Sequence, residues 1–287
     1  MARRCILPLV TLSVVIITHN EEANLGNTLK SITPRLYSEG RRNDEELIIV
    51  DSGSTDRTIE IAKSFGAKVF VEEWKGYAAQ KNSAIDKATG SWILSLDADE
   101  AVSPELLKEI GSALGRQGLL RLEQPPDSPV FVDAFSIPRQ NLFLQKPIRH
   151  GGFWPDRKIR LFRKGNGRFA MRPVHESVQV TGRVEELKAP LIHHSYPTLT
   201  DYIEHMNRYS SLGAEMVVGK ANGKVRFSVI NIVLRPLATF VYNYFFRLGF
   251  LDGREGLLLH LYHAVYVSWK YAKAWELSRK NTPEANR

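Results

Sequence analysis

Two stretches of the 287-residue chain gather carboxylates where they can do chemistry. Leu94-Ser95-Leu96-Asp97-Ala98-Asp99-Glu100 ends an apolar run in two aspartates one residue apart. Hard oxygen donors grouped so closely suit Mg2+ or Mn2+ shared with phosphate oxygens, and without a cation their like charges repel. Ile48-Ile49-Val50-Asp51-Ser52-Gly53-Ser54-Thr55-Asp56 delivers Asp51 in the same manner, followed by a glycine turn and capping residues. Singly, each has a plainer reading: Asp51 and Asp56 as turn and cap residues, the Asp-x-Asp as a solvated loop. Together, on the ends of two strands of one parallel sheet, they mark the place where such sheets bind ligands.

The elements that must position them are legible as βα units. Leu12 to Ile17 and Leu47 to Val50 are β-branched runs covered on two faces, hence parallel strands. Asn20 can cap a helix running to about Ser31, and Ser54 or Thr55 can cap Arg57 to Phe65, which Gly66 stops. Lys68 to Glu72 is a third strand, Tyr77 to Ala88 a helix closed by Gly90, and Trp92 to Leu96 a fourth strand. Ser103 and Pro104 open the next helix. From Gly115 to Val130 the chain reads as a loop. Strands resume at Asp133 to Phe143 and Arg157 to Arg163, with a turn at Gly165 to Gly167, and helix periodicity returns at Leu199 to Ala221. This is an α/β chain with a doubly wound, mostly parallel Rossmann-like sheet and helices on both faces.

The net charge of +8 is unevenly divided: residues 1–128 carry 15 Lys and Arg against 19 Asp and Glu, residues 129–287 carry 24 against 12. No helix-turn-helix, RNA-recognition sheet or zinc finger accompanies the basic half, which argues against nucleic acid. The absence of Gly-x-Gly-x-x-Gly and of a Gly-Lys-Ser/Thr loop disfavours a Rossmann dehydrogenase and a P-loop NTPase. Cys5 has no partner for an intramolecular disulfide, so a cytoplasmic setting is expected. Arg3 and Arg4 before Ile6 to Ile17 imitate a signal peptide, but no small-residue cleavage site follows and the run passes into a polar loop.

Val15-Ile16-Ile17-Thr18-His19-Asn20-Glu21-Glu22, the Val50 to Asp56 turn, Gly76 through Gln80-Lys81-Asn82, and Leu96 to Glu100 together resemble family 2 glycosyltransferases of the GT-A fold. Trp154-Pro155-Asp156, Arg160-Leu161-Phe162, Val174-His175-Glu176, His193 with Ser195-Tyr196, and Tyr202 to Tyr209 resemble the branch of lipopolysaccharide inner-core β-1,4-glucosyltransferases, the WaaE type. The resemblance implies that Thr18, Glu21 and Asp51 hold the nucleoside of a nucleotide-diphosphate sugar, a UDP-hexose in the first instance. It further implies that Asp97 contacts ribose or metal, that Asp99 ligates Mg2+ or Mn2+ bridging the diphosphate, and that Lys81 lies near base or phosphates. Where some relatives have two acids at the Asp51 turn, this chain has Asp51-Ser52.

Transfer from such a donor needs the departing diphosphate stabilised and the acceptor hydroxyl deprotonated, and the resemblance implies inversion by a single displacement. Glu176 is the expected base, a matching His-Glu occurring in the related branch; a solvated strand glutamate is the plainer reading. Arg160 and His193 are candidate diphosphate or metal contacts, or else a strand face and a structural histidine. Trp154 either stacks on an acceptor sugar or fills core. The expected division is 1–115 for the nucleotide-sugar half, 116–222 for the acceptor half and 223–287 for C-terminal aromatic and basic amphipathic helices. Arg235, Pro236, Asn243 and Arg247 keep that last segment short of the ~18 apolar residues of a spanning helix. It suits an anionic membrane surface and a lipid-linked glycan acceptor, or alternatively a homodimer interface or a cap on the catalytic domain.

Overall fold

The computed structural model describes residues 11–36, 46–123, 131–171 and 177–280. The chain forms two compact units, one of Met1–Arg139 with Asp156–His193, the other of Gln140–Pro155 with His194–Arg287. The first elements are β1 (Leu12–Thr18), α1 (Leu25–Leu36), β2 (Glu46–Asp51), α2 (Thr58–Ser64), β3 (Lys68–Val71), α3 (Tyr77–Lys87), β4 (Trp92–Leu96), β5 (Glu100–Val102) and α4 (Pro104–Glu123). There follow β6 (Ala134–Phe143), β7 (Lys146–Pro147), β8 (Asp156–Arg163), β9 (Gly167–Phe169), β10 (Val178–Val180), β11 (Val184–Glu186) and β12 (Leu191–Tyr196). Helices α5 (Leu199–Lys220), α6 (Arg235–Val241) and α7 (Gly253–Lys280) complete the chain.

In the first unit the strand order is β3-β2-β1-β4-β8-β6-β12-β5. The first four strands are parallel, as their β-branched sequences require, and β8 joins β4 antiparallel. Alternation along β1 feeds two cores. Val14 and Ile16 pack with Leu94 and Leu96 of β4 and with α1 and α4 through Leu29 and Ile110, whereas Val15 faces Ile48, Val50 and the Ala84 and Ile85 side of α3. Each fully buried aliphatic side chain contributes about 1.5–3 kcal/mol, so a strand sandwiched in this way holds its register firmly. That register sets Thr18 opposite Asp51 and Ile16 opposite Leu96, which brings the carboxyl ends of β1, β2 and β4 level.

Several local expectations change. Asn20 does not cap a helix: at φ 55° it accepts from the Thr55 amide at 2.9 Å and its own amide donates to Ser54 Oγ, tying the β1 loop to the β2 turn. Asp56, not Ser54 or Thr55, accepts from the Thr58 amide at the start of α2. Gly66 does end that helix at positive φ, but Gly90 serves close packing, since a Cβ there would lie 2.6 Å from Ser13 Oγ. Ser103 caps α4 through the Leu106 amide. That helix continues to Glu123 across the expected loop because Leu114 and Gln117 are buried, Gln117 accepting from the Val132 amide. Tertiary packing outweighs the roughly 1 kcal/mol cost of each helical glycine.

In the second unit Phe143, Ile148, Tyr202 and Leu259 form the core. Thr198 and Asp201 make a capping box at α5, and Lys273 of α7 donates to Asn207, Ser210 and Ser211 of that helix. Among the described residues no helix is long and apolar enough to cross a membrane.

Candidate functional site

The site is built at the carboxyl ends of β1, β2 and β4, and its two acidic turns are wired differently. Asp51 is completely buried. Its Oδ1 accepts from the Gly53 and Ser54 amides at 3.0 and 2.7 Å, and its Oδ2 accepts from Thr18 Oγ1 at 2.7 Å and Ser54 Oγ at 2.5 Å. The carboxylate thus satisfies the turn that Gly53 makes at φ 83°. Thr18 and Asp51, expected at the nucleoside, are brought together by the β1–β2 register and bonded to each other.

Asp97 is balanced by charge instead. Lys81 Nζ of α3 lies 2.7 Å from its Oδ1, and Arg160 of β8 donates to its Oδ2. Arg160 reaches Glu100 Oε1 with the same nitrogen at 2.5 Å, and Glu100, fully buried, accepts from the Asp97 amide. Burial works against ionising Asp97, but Arg160 and then Lys81 outweigh it and hold its carboxyl far below the usual range. Burial likewise opposes the Arg160 charge, and Asp97 with Glu100 restores it, so the guanidinium stays protonated at any working pH. Arg139 adds a weak contact to Glu100 at 3.4 Å and a strong one to Asp156.

Asp99 stands apart from this knot. Its Oδ2 lies 3.2 Å from His193 Nε2, and its side chain keeps 28% of its surface exposed. Glu21 approaches the same place: burial raises its carboxyl pKa, a hydrogen bond from Asn24 opposes this, and the charges of Asp99, Asp56 and Asp97 push it further up. A negative field that a neighbouring carboxylate feels is one that a cation would relieve. His193 and Arg160, each with a plainer reading from sequence, therefore both reach the Asp-x-Asp turn.

Two expected residues stand otherwise. Glu176, with His175, lies outside the described residues. The strand before it is anchored, because Asn82 of α3 exchanges two hydrogen bonds with the backbone of Phe169, over whose ring Lys81 Nζ sits at 5.1 Å. Trp154 belongs to the second unit and is half-buried. Sequence reasoning assigned no role to Glu100 or Arg139. The signal for Glu100 was its place directly behind two acids that follow a buried strand; nothing local distinguishes Arg139.

Residues 13–119 match the family described as Glycosyl transferase family 2. An uncharacterized glycosyltransferase of Rickettsia typhi is 30% identical over 280 residues, covering 94% of this chain and 88% of the relative. The chain is a family 2 glycosyltransferase. This transferase is also 29% identical over 280 residues to the lipopolysaccharide core biosynthesis glycosyltransferase LpsC of Rhizobium meliloti, covering 94% of both. In fold it is similar to a mannosyltransferase of Pyrobaculum calidifontis, with a TM-score of 0.50, 15% identity, and coverage of 92% of this chain and 87% of the other. The family 2 transferase therefore has the GT-A fold, with a C-terminal helix.

Proposed function

We propose that this glycosyltransferase moves a hexose, with UDP-glucose as the first donor to test, onto a glycan acceptor: an inner-core heptose of lipopolysaccharide, carried on lipid at the cytoplasmic face of the membrane. The observation that carries the reading is the division of labour at the end of β4. Asp97 is neutralised by Lys81 and Arg160, while Asp99 and His193 present an adjacent oxygen and nitrogen within the negative field that Glu21 registers.

That donor set fits a divalent ion. Mg2+ and Mn2+ take carboxylate, phosphate and water oxygens, and of the two Mn2+ is the one that also accepts an imidazole nitrogen. Asp99 and His193 would hold it, and when bound it supplies Lewis-acid stabilisation of the departing diphosphate. Lys81 and Arg160 orient Asp97 and add positive charge at the same strand end, and Thr18, Glu21 and Asp51 shape the nucleoside side. Glu176 takes the proton from the acceptor hydroxyl as it attacks, an assignment supported by the family resemblance, and Trp154 offers an apolar ring to the acceptor sugar. The Pyrobaculum enzyme is described with GDP-mannose and Mn2+, and the Rhizobium relative is named for lipopolysaccharide core biosynthesis. Both support the class of donor and acceptor.

The test is donor hydrolysis and transfer with UDP-glucose, other UDP-sugars and GDP-mannose, with and without Mn2+ or Mg2+, followed by an acceptor screen. Turnover by one donor only with metal is expected; metal-independent turnover, or none with any donor, overturns the proposal. For the base, Glu176→Gln is expected to abolish transfer and leave nucleotide binding intact.

A further inference from the structure

Between Glu215 and Asp252 the sequence holds no acid and five bases: Lys220, Lys224, Arg226, Arg235 and Arg247. Within this stretch the backbone is helical from a π turn (Ile230–Leu234) through α6 to a second π turn (Tyr242–Phe246). At about 1.5 Å per residue it is a rod roughly 25 Å long. Its inner side is fixed on α7: Pro236 is buried and the Ile232 carbonyl accepts from Ser268 Oγ at 2.8 Å, while Arg235, itself exposed, donates to the Tyr271 hydroxyl.

The opposite side is apolar and open. Ile230, Leu234, Leu237, Val241, Phe245 and Phe246 all face solvent, with Ile230 64%, Leu237 58% and Phe246 75% exposed. A water-facing helix ordinarily reverses this pattern, with its apolar stripe turned inward. A contiguous apolar face of this length marks an interaction surface.

We infer that the outward face of the 230–246 helical segment docks on an anionic lipid bilayer, lying in the interface with its aromatic end embedded and its arginines toward the headgroups. Charge decides between lipid and a second copy. A twofold dimer through this face sets the same patch against itself, so Arg235 and Arg247 would meet their own copies with no acid between Glu215 and Asp252 to pair them. Anionic headgroups supply the missing charge, each nearby base adding to the attraction. Arg235 and Pro236 at mid-segment, and the side fixed on α7, suit a helix lying on the bilayer instead of crossing it. The inference stands on the second unit alone and is independent of the donor and acceptor proposed above.

The full chain is centrifuged with vesicles of phosphatidylcholine alone and with vesicles also containing phosphatidylglycerol, across a salt series. Sedimentation with the anionic vesicles that falls as salt rises is expected. Phe246→Glu and the Phe245→Glu, Phe246→Glu pair are expected to lower the partition coefficient by about tenfold or more. Phe246 is 75% exposed, so in Phe246→Glu the melting temperature and donor hydrolysis without vesicles are unchanged. No sedimentation with anionic vesicles at low salt overturns the inference. So does equal sedimentation of the wild type and the pair, or a solution dimer that the pair dissociates while vesicle binding is absent.

Discussion

Asp51 and Asp97 close strands that flank β1 on either side, and in sequence both are acids ending an apolar run. Their surroundings differ completely. Asp51 meets four uncharged donors from its own turn and from Thr18, all within hydrogen-bond distance. Asp97 meets Lys81 and Arg160, and leaves Asp99 beside His193. An acid at a strand end can therefore be a folding device or part of a charge-balanced site, and what decides is whether backbone amides or distant cations reach it first.

The largest expected effect separates Asp99 from both. Asp99→Ala lowers kcat/KM by about a thousandfold, roughly 4 kcal/mol, with little change in melting temperature, since its pairing with His193 is partly exposed. Steady-state kinetics over a Mn2+ titration checks this, and full activity without Asp99 would break the division drawn here. Next comes Arg160→Met, which strands the carboxylates of Asp97 and Glu100 away from their shared cation. A loss of about 3–5 kcal/mol in urea unfolding is expected, and an unmoved midpoint would mean that water already reaches them.

Asp51→Asn sharpens the other side. An amide nitrogen turned toward the Gly53 and Ser54 amides, or toward two hydroxyl donors, leaves buried donors unmet and costs about 2–3 kcal/mol. An unaltered melting temperature would show that this carboxylate is not needed by its turn.

The smallest effect tests a buried acid at the opposite end of β2. Burial raises the Glu46 pKa, but hydrogen bonds from Lys68, Thr89 and Ser13 bring it from the usual 4.5 down to about 2. A folded-state value below the unfolded one stabilises the protein fully above about pH 4.5 and loses that stabilisation as pH falls through about 2. Discounted for the exposed Lys68, the stability gap between wild type and Glu46→Gln is about 1–2 kcal/mol at neutral pH. It should close over that window in denaturant midpoints measured at successive pH values.

The parallel strands were legible because burial on both faces demands unbroken apolar runs, and Leu12–Thr18 and Trp92–Leu96 show them. The end of α4 was not, since Gly115, Gly118 and the prolines beyond read as a loop until Gln117 finds the Val132 amide. Nor was the fate of Asn20, whose side chain is shared with a turn 35 residues away.

Sequence alone determined the βα order, the placing of acids at strand ends, and a stretch without acids that is both aromatic and basic. These are local matters of periodicity, composition and turn chemistry. Only the tertiary structure decided which acids are charged partners and which are turn closures, because Arg160 reaches Asp97 across 63 residues and His193 reaches Asp99 from β12. It also decided that the 230–246 segment turns an apolar side outward, since Pro236 is buried and the Ile232 carbonyl is held by Ser268 of α7 on the other side.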